Sequence, residues 1–257
     1  AEWVGRETPD YLLTHPTNLM RLARQCIEDG IELPKLKDIQ TLSEILRPDV
    51  RDICRDAWGA PIKDNYSGRE VGYIALQCPD HEHYHAQSEG SLVEVVDDDN
   101  RPCGVGETGR VLVTPLHNFA MPFLRYEVGD FAEVGPPCAC GRGLPVLNRI
   151  IGREQNMLTL PGGEKRWTLL SEGGIRNLFK LAPIREYQFV QKSLETLEVR
   201  LVVGRALEGA EEQGIREWML AKFEHPFEID IKYMDELPRG RTGKLQDFIS
   251  EVDERIR

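Results

Sequence analysis

The chain has 257 residues, of which 29% are charged and 40% hydrophobic, and its 43 Asp and Glu against 32 Lys and Arg give a net charge of -11. This acidity argues against nucleic acid as a partner, because binding to a phosphate backbone requires clustered Lys and Arg. No apolar run approaches the ~18 residues that a membrane span needs. Six cysteines are too sparse for a disulfide framework. The composition therefore predicts a globular cytoplasmic protein with no membrane partner.

The first 77 residues alternate between strand and helix patterns. Apolar side chains recur at helical spacing in residues 17–29 and 49–58, and a glycine follows each segment. Short extended stretches flank the two helices, at residues 11–15, 37–42 and 61–67. Because this alternation is typical of a parallel sheet covered by helices, residues 1–77 are predicted to form the end of a large α/β domain.

The rest of the chain is predicted to contain a β-rich subdomain and then a small α+β domain. Residues 78–151 hold short strands separated by turns rich in Asp and Gly, and a strand at 71–77 leads into them. Residues 152–257 combine helical and extended patterns. The helical patterns lie at 172–181 and 211–224, and the extended stretches at 196–204 and 228–234.

A group of cysteines and histidines has the spacing of a zinc site. Cys78 is followed at short distance by several histidines, and Cys138 and Cys140 form a CxC pair beside glycines. Zinc in proteins takes four soft or borderline ligands and usually draws them from two short-spaced pairs. The sequence therefore predicts a structural Cys3His zinc site, whose histidine is either His81, with the compact CxxH spacing, or His85.

Four further segments occur in order along the chain. They are Asp64–Tyr73 (DNYSGREVGY), Arg125–Asp130 (RYEVGD), Gly152–Leu158 (GREQNML) and Pro238–Leu245 (PRGRTGKL). In this order they resemble the motifs of the rear half of an adenylate-forming acyl-CoA ligase, closest to the phenylacetate-CoA ligase branch. The resemblance implies the fold of that rear half, in which residues 152–257 are a small C-terminal lid domain joined to the rest by a hinge.

The resemblance also implies roles for single residues at a nucleotide site. Tyr66 would pack near the adenine, Asp130 would accept hydrogen bonds from both ribose hydroxyls, and Arg153 would contact the ribose or a phosphate of ATP or AMP. Glu70 would help to hold Mg2+ on the ATP phosphates. Lys244, on a glycine-flanked loop, would stabilise the charge that develops between the carboxylate and the α-phosphate.

The sequence departs from the family pattern in two places. Arg69 stands where the family has a small hydroxyl residue, and Gln155 with Asn156 replaces a pair of aspartates at the hinge. The zinc site follows the family more closely, because zinc-carrying relatives of phenylacetate-CoA ligase place their histidine at the position of His85. The resemblance therefore favours His85 over His81.

The implied function is ATP-dependent adenylation of a small-molecule carboxylic acid, followed by thioester formation with CoA. The Ser/Thr/Gly-rich loop that holds the ATP phosphates in such enzymes is not found in the 257 residues. We therefore expect little or no ligase activity from this polypeptide alone. The alternative is a non-catalytic module, stapled by zinc, that binds a nucleotide or a protein partner. Whether the protein forms a homodimer is left open by the sequence.

Overall fold

The computed structural model of the chain describes residues 2–32, 36–153, 156–167, 172–239 and 245–252. The chain divides into two compact units, residues 1–154 (unit 1) and residues 155–257 (unit 2). Among the helices of the described residues, none is long and apolar enough to cross a membrane.

The described part of unit 1 consists of helices and one large sheet. The helices are α1 (Glu2–Glu7), α2 (Pro16–Asp29) and α3 (Pro48–Trp58). The strands are β1 (Tyr11–Thr14), β2 (Asp38–Leu42), β3 (Ile62–Gly68), β4 (Gly72–Gln77), β5 (Tyr84–Ala86), β6 (Ser91–Val96), β7 (Thr108–Pro115), β8 (Tyr126–Val134) and β9 (Val146–Arg153). They form a single mixed sheet in the order β1-β2-β3-β4-β5-β9-β8-β7-β6.

The first three strands form the parallel α/β layer that the sequence predicts. β1 pairs with β2, and β2 with β3, in parallel register. Helices α2 and α3 both begin at a proline, whose missing N–H costs no hydrogen bond there, and are followed by Gly30 and Gly59 in the left-handed conformation. The helices and strands share one buried apolar cluster, formed by Leu19, Met20, Ala23, Leu36, Ile39, Val50, Cys54, Ala60 and Ile62.

The parallel layer continues directly into the β-rich region. β3 pairs with β4, and β4 with β5, in antiparallel register, so the predicted boundary between residues 77 and 78 lies inside the sheet. The sequence patterns do not predict β5 and β9, which join the two parts of the sheet. A second apolar cluster packs within the antiparallel region, formed by Tyr66, Ile74, Ala75, Val95, Val111, Val113, Ala132 and Leu147.

Unit 2 is the predicted small α+β unit. It contains α4 (Glu172–Leu181), α5 (Gly209–Phe223) and the hairpin of β10 (Met157–Thr159) with β11 (Lys165–Trp167). Its sheet is formed by β12 (Ile184–Gln191), β13 (Thr196–Val203), β14 (Glu228–Tyr233) and β15 (Phe248–Ser250), in the order β14-β13-β12-β15. Both predicted helices are present within two residues of their predicted bounds, and the predicted fold class is confirmed.

Candidate functional site

Three side chains of the predicted nucleotide site meet at one carboxylate. The Tyr66 hydroxyl donates to Asp130 Oδ2 at 2.9 Å, and Arg153 Nε donates to Asp130 Oδ1 at 3.2 Å. The Asp130 side chain is 17% exposed and that of Arg153 is 56% exposed. Among the described residues, each carboxylate oxygen has one side-chain donor of this group, and because a carboxylate offers about four acceptor positions, further hydrogen bonds can be accepted from a ligand.

The contact between Tyr66 and Asp130 requires strong curvature of the sheet. Tyr66 lies on β3 and Asp130 on β8, and three other strands separate them in the sheet order. In a flat sheet, strands four places apart lie about 19 Å from each other, at about 4.8 Å per step. The observed hydroxyl–carboxylate distance of 2.9 Å shows that the sheet curls, so that β3 and β8 face each other across the enclosed apolar cluster.

The strand pairing of β8 and β9 explains why Arg153 reaches Asp130. The two residues are direct partners in the antiparallel register. Gly129 precedes Asp130 with φ +80°, a conformation that a residue with a Cβ adopts only at a cost. Arg125, at the start of the same motif, also has a left-handed φ of +47°, and its side chain pairs with Glu94 at 3.2 Å. These left-handed backbone conformations help to set the direction of the Asp130 carboxylate.

Burial keeps Tyr66 in the role of a hydrogen-bond donor. Its ring belongs to the buried cluster of the antiparallel region, and the residue is 9% exposed. Burial raises the pKa of Tyr66 well above its usual value, and the neighbouring Asp130 carboxylate raises it further. The phenol is therefore protonated at neutral pH and orients the carboxylate.

Among the described residues, Glu70 is the other residue assigned to the nucleotide site, and it is not joined to this group of three. Glu70 lies exposed in the turn between β3 and β4, next to the exposed Arg69. Lys244 lies outside the described residues, and its assignment stays a prediction; Gln155, named as a departure from the family's hinge pattern, also lies outside them.

The predicted metal ligands converge on one point in unit 1. The ligand atoms of Cys78, His85, Cys138 and Cys140 all lie within 4.8 Å of one another. Cys78 Sγ is 3.9 Å from Cys138 Sγ, and Cys140 Sγ is 3.3 Å from His85 Nε2. A tetrahedral site with Zn–S bonds of about 2.3 Å has sulfur–sulfur edges of about 3.8 Å and sulfur–nitrogen edges of about 3.6 Å. The four side chains thus fit a zinc ion, and all three cysteines are free thiols.

The surroundings of the thiols favour their deprotonated form at two of the three cysteines. Burial raises the pKa of Cys78, but hydrogen bonds from the backbone N–H of Asp80, from His85 and from the backbone N–H of His81 bring it below its usual value. The backbone N–H of Arg142 lowers the pKa of Cys140. Because thiolate is the metal-binding form of cysteine, these N–H donors suit a metal centre.

The structure groups His85, and not His81, with the cysteines. His85 is almost fully buried on β5, while His81 is exposed in the preceding turn and lies with its ring 5.1 Å from that of His83. The preference for His85 over His81 agrees with this arrangement. The CxC pair is formed by a turn in which Gly141 has φ +84°, and the Cys140 N–H donates to Cys138 Sγ at 3.4 Å.

A buried polar group next to both sites is absent from the sequence predictions. Asp64, which is 7% exposed, accepts hydrogen bonds from the Thr41 hydroxyl at 2.6 Å and the Tyr84 hydroxyl at 2.7 Å. Burial raises the pKa of Asp64, and the two hydroxyl donors oppose only part of that shift. The signal in the sequence is a lone acidic residue within a strand, two positions before Tyr66.

Comparisons with known proteins agree with the predicted resemblance. Residues 164–251 match a family described as the CapK C-terminal domain. The phenylacetate-coenzyme A ligase of Thermus thermophilus is 29% identical over 141 residues, which are 54% of this chain and 26% of that protein. The resemblance to the C-terminal portion of an adenylate-forming ligase is confirmed.

Solved structures of ligases share the fold. A 2-hydroxyisobutyryl-CoA ligase in complex with R3-HIB-AMP superposes with a TM-score of 0.79 at 20% identity, covering 99% of this chain and 57% of that one. The anthranilate CoA ligase AuaEII in complex with anthranoyl-AMP gives 0.67 at 18% identity, covering 94% of this chain and 49% of that one. The amide bond synthetase McbA from Marinactinospora thermotolerans gives 0.67 at 18% identity, covering 96% and 52%. The chain thus spans about half the length of these relatives.

Proposed function

We propose that this chain, which resembles the C-terminal portion of an adenylate-forming ligase in sequence and has its fold, binds the adenosine of ATP and of an acyl-adenylate. In the complete ligase reaction a small-molecule carboxylic acid would be activated by ATP and transferred to the thiol of CoA in the cytoplasm. The observation that carries the proposal is the Asp130 carboxylate, held between Tyr66 and Arg153.

The geometry of Asp130 suits a ribose. An ionised carboxylate only accepts hydrogen bonds, and two vicinal hydroxyls of a ribose are two donors at the right spacing for its two oxygens. Tyr66 and Arg153 each fix one oxygen from the protein side. Because the carboxylate is oriented before the ligand arrives, little side-chain freedom is lost on binding.

The remaining roles follow from the chemistry of adenylation. A carboxylate oxygen of the acid attacks the α-phosphorus, the bond from that phosphorus to the bridging oxygen breaks, and pyrophosphate leaves. The thiol of CoA then attacks the acyl carbon, and AMP leaves with the bonding electrons. We assign Glu70 to Mg2+ on the ATP phosphates, Arg153 to the ribose or a phosphate, and Lys244 to the charge that develops in the first step.

The zinc site is proposed as a structural centre. Cys78, His85, Cys138 and Cys140 provide four ligands, the closed set that is typical of structural zinc. A closed tetrahedral site has no open position for water or substrate, so the ion would hold the fold together and take no part in adenylation.

A non-catalytic nucleotide-binding or interaction module is the second candidate. Arg69, Gln155 and Asn156 depart from the ligase pattern, which favours this candidate. The ligase and the nucleotide-binding form of the module both bind AMP, but they differ in whether the full-length protein catalyses adenylation. Adenylate formation by the full-length gene product, followed as pyrophosphate release from ATP with arylacetic acids, separates them. From the 257 residues alone we expect AMP binding with little or no turnover, and robust acyl-CoA synthesis by this polypeptide would contradict that expectation.

The test of nucleotide binding is calorimetric titration of AMP into the zinc-loaded chain and into the variant Asp130→Asn. We expect the variant to bind AMP about 10- to 100-fold more weakly, because hydrogen bonds to a charged acceptor contribute about 1.5–3 kcal/mol. The matched control is Asp99→Asn at an exposed hairpin tip, where Asp99 pairs with Arg101 and AMP affinity should not change. Equal AMP affinity of wild type and Asp130→Asn would reject the adenosine assignment.

A further inference from the structure

The nine-stranded sheet of unit 1 has a short junction in its middle. We call β1–β5 its first half and β6–β9 its second half. The two halves are joined by β5 and β9, whose register consists of two pairs, Tyr84 with Leu147 and His85 with Val146, next to one hydrogen bond from Ala86 N–H to the Pro145 carbonyl at 2.9 Å. By contrast, β6 and β7 pair at six positions. Two residue pairs hold a sheet in register only weakly.

The metal ligands lie across this junction. Cys78 directly follows β4 and His85 lies on β5, so both belong to the first half. Cys138 and Cys140 lie in the connection from β8 to β9, in the second half. The contacts of 3.9 Å from Cys78 to Cys138 and 3.3 Å from Cys140 to His85 therefore both run from one half to the other. An ion bound by all four would fasten the two halves together.

The three side chains proposed to bind adenosine, which we call the adenosine group, are divided between the same two halves. Tyr66 lies on β3 in the first half, and Asp130 and Arg153 lie on β8 and β9 in the second. The hydrogen bond from Tyr66 to Asp130 forms only when the halves are aligned. The metal centre and the adenosine group thus require the same alignment.

A buried hydrogen bond connects the metal-binding strand to the strand of Tyr66. Tyr84 is the neighbour of His85 on β5, and its hydroxyl donates to Asp64 on β3, two residues before Tyr66. Successive residues of a strand point to opposite faces, so β5 presents His85 to the cysteines and Tyr84 to Asp64. The ring of Tyr84 also packs against the apolar cluster that contains Tyr66. A displacement of β5 would therefore be transmitted to β3.

We propose that the metal centre controls the assembly of the adenosine site by fixing the junction between the two halves, with Tyr84 as the positioning residue that connects β5, which carries the metal ligand His85, to β3, which carries Tyr66. Metal and AMP then bind with positive coupling. The proposal rests on the proposed function, since it concerns regulation of the same adenosine site. Coupling between two binding sites is reciprocal, so the factor by which zinc tightens AMP binding equals the factor by which AMP tightens zinc binding.

The test measures, on the 257-residue chain, both the effect of zinc on AMP affinity and the effect of AMP on zinc affinity. AMP affinity is measured by calorimetry with zinc-loaded and chelator-stripped protein, and zinc affinity by equilibrium competition with a chromogenic chelator, with and without saturating AMP. We expect each to change by at least about 5-fold, the lower end of ordinary allosteric coupling. Circular dichroism verifies that the stripped chain keeps its sheet. A folded, metal-free chain that binds AMP as tightly as the loaded chain overturns the proposal.

The variant Tyr84→Phe tests whether Tyr84 transmits the effect of the metal to the adenosine site or whether the metal only stabilises the fold. The variant leaves all four metal ligands in place. We expect its zinc affinity without AMP to change less than about 2-fold, while the coupling factor falls toward 1 because the bond to Asp64 is gone. Tyr73→Phe, at an exposed position on β4, is the matched control and should keep full coupling. Unchanged coupling in Tyr84→Phe removes Tyr84 from the mechanism. If zinc-loaded wild type fails to bind AMP at all, the proposed function fails instead, and the two failures are distinguishable.

Discussion

Unit 2 has a mixed sheet, in which two of the three strand pairs are parallel, and it is stabilised differently from the antiparallel part of unit 1. Among the described residues, unit 2 has one cluster of 16 buried apolar residues, and its aromatic members include Tyr187, Phe189, Phe223 and Phe227. The antiparallel region of unit 1 has a cluster of eight, in which Tyr66 is the aromatic member. To its smaller cluster unit 1 adds the carboxylates of Asp130 and Asp64 with their donors, and the four metal ligands. Apolar packing stabilises the sheet of unit 2, whereas a bound metal is expected to stabilise the antiparallel region of unit 1.

Because the two units are stabilised differently, we predict that metal removal affects unit 1 and leaves unit 2 intact. Zinc at cysteine-rich structural sites contributes on the order of 10 kcal/mol of apparent binding free energy, so stripping the ion should lower the stability of the β5–β9 junction by more than about 5 kcal/mol. Hydrogen–deuterium exchange with mass spectrometry measures this region by region. We expect faster exchange in peptides that cover residues 78–86 and 136–147, and unchanged exchange in β12 and β13.

The variant Cys140→Ala should reproduce the effect of metal removal even with zinc present. Cys103→Ala is the control, since Cys103 is a half-buried thiol of the same unit that lies outside the group of four. Equal exchange in the loaded and stripped chains would mean that the apolar cluster alone holds the junction.

The converse change targets the core of unit 2. Phe189 lies on β12, is 2% exposed, and has its ring 4.9 Å from that of Tyr187 and 6.4 Å from that of Phe223. Phe189→Ala leaves a cavity and should lower the free energy of unfolding of unit 2 by about 4 kcal/mol. The measurement is urea unfolding of the zinc-loaded chain, with exchange data to assign the loss to unit 2.

Leu220→Ala is the control for Phe189→Ala. Leu220 lies exposed on α5, with 36% of its surface accessible, and its truncation should cost less than about 0.5 kcal/mol. If Phe189→Ala releases zinc or raises exchange at the β5–β9 junction, the two units are not stabilised independently.

The elements predicted best from the sequence are those with local signals. Helices α2 and α3 start within one residue of their predicted positions, because apolar spacing and the glycines Gly30 and Gly59 act within one helix. Strands β5 and β9 escape prediction for the opposite reason. β5 has three residues in a histidine-rich stretch, and its existence depends on pairing with β4 and also with β9, whose residue Val146 lies far along the chain.

The candidate sites divide in the same way. Asp130 is predicted by a contiguous motif, but its contact with Tyr66, 64 residues earlier, comes from curvature of the whole sheet. The spacing of His81 and His85 leaves the metal ligand open, whereas the pairing of β5 with β9 sets His85 beside the cysteines. Asp64 is missed because an acidic residue in a strand pattern is expected to be exposed. Its burial depends on the hydroxyl donors from β2 and β5, together with the Arg51 charge and the Asn65 backbone N–H, which the sequence pattern does not show.

The smallest effect expected concerns the start of α5 in unit 2. Glu211 accepts hydrogen bonds from both terminal nitrogens of Arg205, at 2.8 and 2.9 Å, and from the Glu208 N–H at 2.8 Å. The Arg205 guanidinium, followed by the Glu208 N–H, lowers the pKa of Glu211 to about 2. A carboxyl whose pKa is lower in the folded state stabilises the fold above its ordinary pKa of about 4.5, and this contribution is lost as the pH falls from there toward 2.

Glu211→Gln keeps an acceptor for the Glu208 N–H but removes the charge. We therefore expect the variant to be less stable than wild type at pH 6, and the difference to shrink steadily as the pH falls from about 4.5 toward 2. Denaturant unfolding of the intact chain across this range measures the difference, and because both proteins share any acid-induced loss of metal from unit 1, that loss cancels in the comparison. Glu217→Gln, further along α5, should show no such convergence. A constant difference at all pH values would mean that the ion pair with Arg205 adds nothing, and that packing alone stabilises unit 2 at this helix.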